Sequence, residues 1–513
     1  MMKTRSWHLR RRQLASAASL VVAALLAVAG DALADVPNPV VEGPIGGGLR
    51  GRPWQSSLVD VEPFGYTEEE YFFQGVARTL GQGSVGSALQ MAPYESRMIV
   101  RRPVDPAGFN GTVLVEWLNV TGQTDLEVLW GPGSSVERFT GDGYAFVGVS
   151  AQLAGICCGP LSLKMWDPVR YAPLAHPGDD FSFDIFSQAI EALRNPRDNR
   201  TTILDPNVVD PMGGLEVERV IVHGASQSAG RLTTYLHAGF HEEARLIDGF
   251  LITRGGNVDA AIAAALETPV FQVNEENIAR DQPDNAYYRL WQEAGAAHAP
   301  LVWWSYVWAA QSRDAAGMPL PDVVNVACSV NRATSDYSFA AAVFHLNEWI
   351  RNGTPPPTAP RINRDGAGNI VRDEHGLATG GVRHPFVAVP IATNDSTGCP
   401  LWGNYKPWTR AKILEEYPTK SDYVSQVEAQ VDAQVAAGFM LAEDGAAEKA
   451  RAAAFDVWTE GTCYDTANPS GNASGPLSQP LDDLAFSLMP TVGFGVGQAV
   501  HDVNCNGVVR AGQ

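Results

Sequence analysis

The stretch V-I-V-H-G-A-S-Q-S-A-G-R, residues 220–231, runs a β-branched apolar segment into small and polar residues and then into a helix-forming one. A serine on so abrupt a strand-to-helix turn holds its hydroxyl clear of the backbone, as the pattern G-x-S-x-G does for a nucleophile. Here the pattern reads Gly224-Ala225-Ser226-Gln227-Ser228, with serine in the last position where glycine is usual. The pattern alone is common, since G-V-S recurs at 148–150, and a serine at a helix start also serves as an N-cap. The flanking strand and helix patterns make Ser226 the candidate nucleophile, and its partners must decide.

A serine hydroxyl attacks only when a base takes its proton, and an imidazole base needs a carboxylate to fix its tautomer and stabilise the imidazolium. On a parallel sheet these groups follow in the order serine, acid, histidine, each on the loop after a later strand. T-P-V-F-Q-V-N (268–274) delivers Glu275 and Glu276, and Y-Y-R-L-W-Q-E-A (287–294) delivers G-A-A-H with His298. Either glutamate meets the requirement, while Asp281 and Asp284 stand farther along. Among rival bases, His223 precedes the turn and is expected to face the sheet interior or the site wall. His237 and His241 belong to the helix after Ser226 and its end, and His384 in G-G-V-R-H-P is the strongest rival. An oxyanion would be held by the backbone N–H of Gln227 and by the loop N-V-T-G (119–122), with Asn119 and Val120 as candidates. Trp303, Trp304, Tyr306 and Trp308, just after His298, suit an acyl or aryl pocket and suit core packing equally.

The elements that must position these residues are legible as apolar runs. T-V-L-V-E-W-L (112–118), Y-A-F-V-G-V-S (144–150), V-E-R-V-I-V-H (217–223) and L-I-D-G-F-L-I (246–252) join the two runs above as strands. Helical patterns lie around 128–138, 184–194, 227–238 and 257–266, and a longer one around 335–351 stops at N-G-T-P-P-P. Near-continuous apolar strands alternating with helices predict an α/β fold with a mostly parallel sheet covered on both faces. Residues 42–102 read as short strands and turns ahead of it. After Pro355, R-D-G-A-G-N-I-V-R-D-E reads as a hairpin, 409–455 as helices, and the tail after Phe455 is rich in Gly, Ser, Pro and Asn. The expected organisation is one domain over 35–513, with a core over about 95–354 and an extension or cap over about 355–513.

Residues 1–34 carry a basic start, with Arg10 to Arg12, an alanine-rich apolar run and A-L-A before Asp35. This is the grammar of a cleavable signal peptide, so cleavage after Ala34 and a secreted or periplasmic protein are expected. The net charge of −20 argues against nucleic-acid or anionic-membrane partners, which reward clustered Lys and Arg. All six cysteines follow the leader, which suits disulfides in an exported chain. Adjacent Cys157 and Cys158 bridge each other only through a strained ring. No zinc spacing is present, and D-V-N-C-N-G at 502–507 reads as a turn before it reads as a calcium loop. No G-x-G-x-x-G follows a strand, so a nicotinamide cofactor is not expected.

With these segments in view, the chain resembles the bacterial exported proteins known as alpha/beta hydrolase domain proteins. The resemblance runs through E-W-L-N-V-T-G, G-V-S-A-Q, W-D-P-V-R-Y, H-P-G-D-D-F-S-F-D-I-F-S-Q, G-A-S-Q-S-A-G-R, Y-R-L-W-Q-E-A-G-A-A-H, N-G-T-P-P-P and G-G-V-R-H-P, over about residues 40–450. It implies an α/β-hydrolase fold, Ser226 as nucleophile, His298 as base and Glu276 as acid. The family pattern carries a further acidic residue two places on, where this chain has Ile278. The expected activity is cleavage of carboxylic esters, small or oligomeric, through an acyl-enzyme with no cofactor and no metal. An amidase, peptidase or acyltransferase would use the same residues, and a binding protein that kept the fold without catalysis is the alternative of another class.

Overall fold

The structure of the protein, a computed structural model, describes residues 36–459 except 80–88, 132–135, 197–208, 279–280, 316–329, 334–335 and 400. The leader, the stretch at 502–507 and the chain after residue 459 therefore lie outside the described residues.

Nine strands form the main sheet: β1 (Val40–Glu42), β2 (Tyr66–Arg78), β3 (Met91–Pro103), β4 (Thr112–Trp117), β5 (Ala145–Val149), β6 (Arg219–Ala225), β7 (Gly249–Thr253), β8 (Val270–Glu275) and β9 (Tyr288–Glu293). Their spatial order is β1-β2-β3-β5-β4-β6-β7-β8-β9. From β5 to β9 every neighbouring pair is parallel, whereas β1 to β3 are antiparallel and β3 joins β5 antiparallel. This is the expected mostly parallel α/β architecture.

Strand alternation builds two cores from one sheet. Val113, Val115, Val220, Val222, Phe250 and Ile252 face the helices α1 (Ser182–Arg194), α2 (Gln227–His237) and α3 (Ala260–Leu266). Leu114, Ile221, Leu251 and Phe271, between them in sequence, face Phe339, Val343 and Leu346 of the helix Asp336–Asn352. Both faces are covered, so the central strands carry apolar residues at successive positions. Farther along, the helices Lys420–Ala437 and Ala442–Ala454 close a third cluster around Tyr423, Val427, Val431 and Phe455.

Three local expectations change. The segment 42–102 is not a set of short strands: β2 and β3 are 13 residues each and pair from Tyr66↔Pro103 to Arg78↔Met91. Charged residues along the two strands are paired across the sheet, Arg97 with Glu70 at 2.5 Å and Arg101 with Glu68 at 2.6 Å. The presumed hairpin after Asn363 is held by isolated bridges, Arg364↔Ile370 and Arg372↔Ala378, rather than by a ladder. The helix expected around 128–138 is described only over Val136–Gly141. Cys157 and Cys158 are bonded to each other, and Cys399 is disulfide-bonded as well.

Candidate active site

The turn after β6 is an elbow. Ser226 has φ 58° and ψ −115°, a left-handed backbone that a non-glycine residue adopts only when its surroundings enforce it. They do so from several sides. Ser226 N–H donates to Thr253 O at 3.1 Å and Gly230 N–H to Ser226 O at 3.2 Å. A Cβ on Gly224 would meet the Ser228 carbonyl oxygen at 2.7 Å, so the first glycine of the pattern is required by close approach. Ser228 replaces the second glycine and is used: its buried hydroxyl accepts from Ala225 N–H and donates to Ala225 O, both at 2.9 Å. The departure from the pattern thus adds two hydrogen bonds to the elbow.

The parallel strands end on one edge, and the candidate partners meet there. His298 Nε2 lies 2.8 Å from Ser226 Oγ, and His298 Nδ1 lies 2.5 Å from Glu275 Oε1. Geometry of this kind lets imidazole take the serine proton while a carboxylate holds the other nitrogen. Glu276, which the family resemblance favours as acid, points elsewhere. Its Oε2 accepts from Gly295 N–H at 2.8 Å, and its Oε1 from Arg372 at 2.7 Å and from Ser396 N–H and Oγ at 2.9 and 2.7 Å. Successive residues at a strand end face opposite sides of the sheet, so only one of the two adjacent glutamates can reach His298. Glu275 is that residue, and Glu276 ties the loop after β9 to residues 372 and 396.

The loop after β4 reaches the elbow through Asn119, whose side-chain amide donates to Ala225 O at 2.9 Å. Its backbone N–H is engaged with Leu126 O at 2.9 Å, so Asn119 does not supply an oxyanion donor as expected. Val120 N–H does face the site, donating to the side-chain oxygen of Gln227 at 3.2 Å. The Gln227 side chain is anchored in turn on Gln152 at 2.8 Å, and Gln152 accepts from Trp117 Nε1 at 3.1 Å.

Several supports carried no motif. Asn274 Oδ1 accepts from Gly255 N–H at 2.9 Å, and a Cβ on Gly255, at φ +149°, would press on Ser226. Asn331 donates to Gly295 O at 2.7 Å and accepts from Ala333 N–H at 2.9 Å, bracing the loop that carries His298. Asn274 showed only as a polar residue near a strand end, which surface polarity imitates, and Asn331 lies outside any strand or helix pattern.

The rival histidines have other partners. His223 is buried against Thr253 Oγ1 at 2.9 Å, in the sheet interior as expected. His384 is buried, bonded to Ser338 at 2.8 Å, and held down to about 4 by burial. Trp303 and Trp304 stack obliquely at 6.0 Å, Trp304 meets Trp402 edge-on at 5.9 Å, and the Arg254 guanidinium lies 5.7 Å from the Trp303 ring. Tyr306 instead packs flat against Gly131, in the core; the Trp308 side chain is outside the described residues. A surface cavity of about 490 Å³ beside Ser57, Asp60 and Tyr66 contains none of the residues that meet at Ser226. Among the described residues, no three His, Cys, Asp or Glu side chains are grouped to hold a metal ion, and no helix is long and apolar enough to cross a membrane.

A doubly covered, mostly parallel sheet with a serine elbow and a histidine–carboxylate pair at its C-terminal edge defines an α/β hydrolase architecture. The family model described as "Alpha/beta hydrolase domain" matches residues 41–450, and the chain belongs to that family. No curated protein matches. Among solved structures, esterase Est22 is 12% identical over 41% of this chain and 64% of its own, with a TM-score of 0.23. The glucuronoyl esterase from Solibacter usitatus is 11% identical over 48% and 70%, with a TM-score of 0.25. Brefeldin A esterase is 17% identical over 39% and 44%, with a TM-score of 0.20. The chain thus spans just under two thirds of Est22 and less than half of brefeldin A esterase.

Proposed function

We propose that the protein is a serine hydrolase that cleaves carboxylic esters through an acyl-enzyme. The observation that carries this reading is the continuous chain from Ser226 Oγ through His298 to Glu275, at 2.8 and 2.5 Å. Ser226 attacks the ester carbonyl while His298 Nε2 takes its proton, and Glu275 stabilises the imidazolium. The proton then passes to the departing alkoxide, and water repeats the sequence to release the acid. The oxyanion is received by the N–H groups of Gln227 and Val120. Val120 N–H already holds an amide oxygen, that of Gln227, so a substrate oxygen takes over an occupied donor.

Turnover of short p-nitrophenyl esters, with a burst equal to the enzyme present, tests the activity; no burst and no turnover would remove the proposal. Val120→Pro probes the oxyanion donor, since Asn119 sits in an extended bridge that tolerates a following proline. A loss of about 10²- to 10³-fold in kcat is expected.

Export rests on the basic and apolar leader with A-L-A before Asp35. Expression with the full leader in a bacterial host is expected to yield an extracytoplasmic protein whose N-terminus is Asp35. A cytoplasmic product that keeps residues 1–34 would contradict it.

A further inference from the structure

Beside Glu275 the sheet edge carries buried charge that acyl transfer does not use. Glu275 ends β8 and Glu293 ends β9, and the parallel register sets the two residues opposite each other. Both residues are buried, each about 2% exposed. Glu275 gives Oε1 to His298, while its Oε2 is buried without a hydrogen-bond partner among the described residues. Glu293 Oε1 is in the same condition. Two facing carboxylates, each with an orphan oxygen, repel when both are charged. They satisfy each other when one keeps a proton, because a carboxylic acid donates one hydrogen bond.

The groups packed around Glu293 do not supply enough positive charge to remove this conflict. Arg254, just past β7, acts on Glu275, Glu293 and Asp336 alike, so one guanidinium faces three carboxyl groups. His384 Nε2 stands 4.0 Å from Glu293 Oε1, yet burial keeps that imidazole neutral near pH 7. Ser338, at the start of its helix, is a hydrogen-bond partner of Glu293 and carries no charge.

We propose that Glu293 is a positioning residue that acts on His298 through Glu275, its carboxylic proton bridging the two facing side chains and holding Glu275 against Nδ1. This deepens the ester-hydrolase reading and rests on it. Burial pushes the Glu293 carboxyl up to about 8, with Glu275 and Asp336 adding to the push and Ser338 and Arg254 opposing it. An acid raised in this way keeps its proton at neutral pH and loses it as pH climbs through about 8. The stability it contributes is present below the ordinary carboxyl range and is lost over the same climb. Ionisation places a second negative charge opposite Glu275, which disturbs the bond that orients His298. Activity therefore falls on the alkaline side.

The test follows kcat/KM for a short p-nitrophenyl ester from pH 6 to 10 in wild type, Glu293→Gln and Glu293→Leu, with fluorophosphonate labelling of Ser226 alongside. Wild type is expected to be about tenfold less active at pH 9 than at pH 7, one pH unit past the titration. Glu293→Gln keeps an N–H donor and cannot ionise, so it should hold neutral-pH activity within about threefold and lose the alkaline fall. Glu293→Leu should lower kcat at every pH and leave KM alone. Parallel pH profiles in wild type and Glu293→Gln, with Ser226 labelled in both, would overturn the inference and leave the triad standing. Unlabelled wild-type Ser226 would overturn the triad itself. If Glu293→Gln does not fold, the wild-type labelling rate decides, and a flat rate between pH 7 and pH 10 overturns the inference.

Discussion

Ser226→Ala is expected to lower kcat toward short esters by about a millionfold, with KM and the unfolding midpoint little changed. The magnitude follows from the serine and histidine acting as one unit: without the hydroxyl no acyl-enzyme forms, and only binding and the oxyanion donors still favour reaction. His298→Ala should fall nearly as far, and the double variant no farther than either single one, because each already removes covalent catalysis. The fold should survive the loss of the Oγ atom. The elbow is held by backbone hydrogen bonds from Ser226 and Gly230 and by the Ser228 hydroxyl, not by Ser226 Oγ. Independent, multiplicative losses in the double variant would mean that the two residues do not work together.

The second large effect separates two adjacent glutamates. Glu275→Gln is expected to reduce kcat by about 10⁴-fold, because a carboxamide N–H toward His298 Nδ1 favours the wrong tautomer and gives the imidazolium no counter-charge. Glu276→Gln should stay within about tenfold in kcat and act on stability instead. It weakens the bond from the partly exposed Arg372 to the buried Glu276 carboxylate at 2.7 Å, and losing a hydrogen bond to a charged group costs about 2 kcal/mol. Chemical denaturation and steady-state kinetics on both variants decide the assignment. The reverse pattern, with Glu276→Gln inactive and Glu275→Gln merely unstable, would return the role to Glu276.

This pair also marks how far the sequence alone could be read. The order of strands after 112 followed from apolar runs, and the elbow from small residues between a strand and a helix, since both patterns are local. His298 followed from its position after the third strand beyond the serine. The choice between Glu275 and Glu276 was not local. It depends on which face of β8 looks toward His298, and that is set by the register Glu275↔Glu293 and by the loop after β9. The resemblance to the family favoured Glu276, one position past the glutamate at the end of β8 whose carboxylate meets His298 Nδ1.

Other misreadings have the same physical origin. The full length of β2 and β3 was missed because Arg97 and Arg101 find their carboxylates, Glu70 and Glu68, on the neighbouring strand, which no local pattern shows. Asn119 looked like an oxyanion donor until its N–H was found on Leu126. Ser228 stands where the pattern has glycine, and its hydroxyl binds both polar atoms of Ala225. Each concerns a polar group whose partner lies far along the chain or across a turn, where spacing carries no information.

The most direct test of the central claim is fluorophosphonate labelling of the purified protein, located by peptide mass mapping, in wild type and in His298→Ala. The triad predicts one equivalent of label on Ser226 in wild type and a labelling rate lower by several orders of magnitude without His298. Label on another residue, or equal labelling of Ser226 in both proteins, would contradict it.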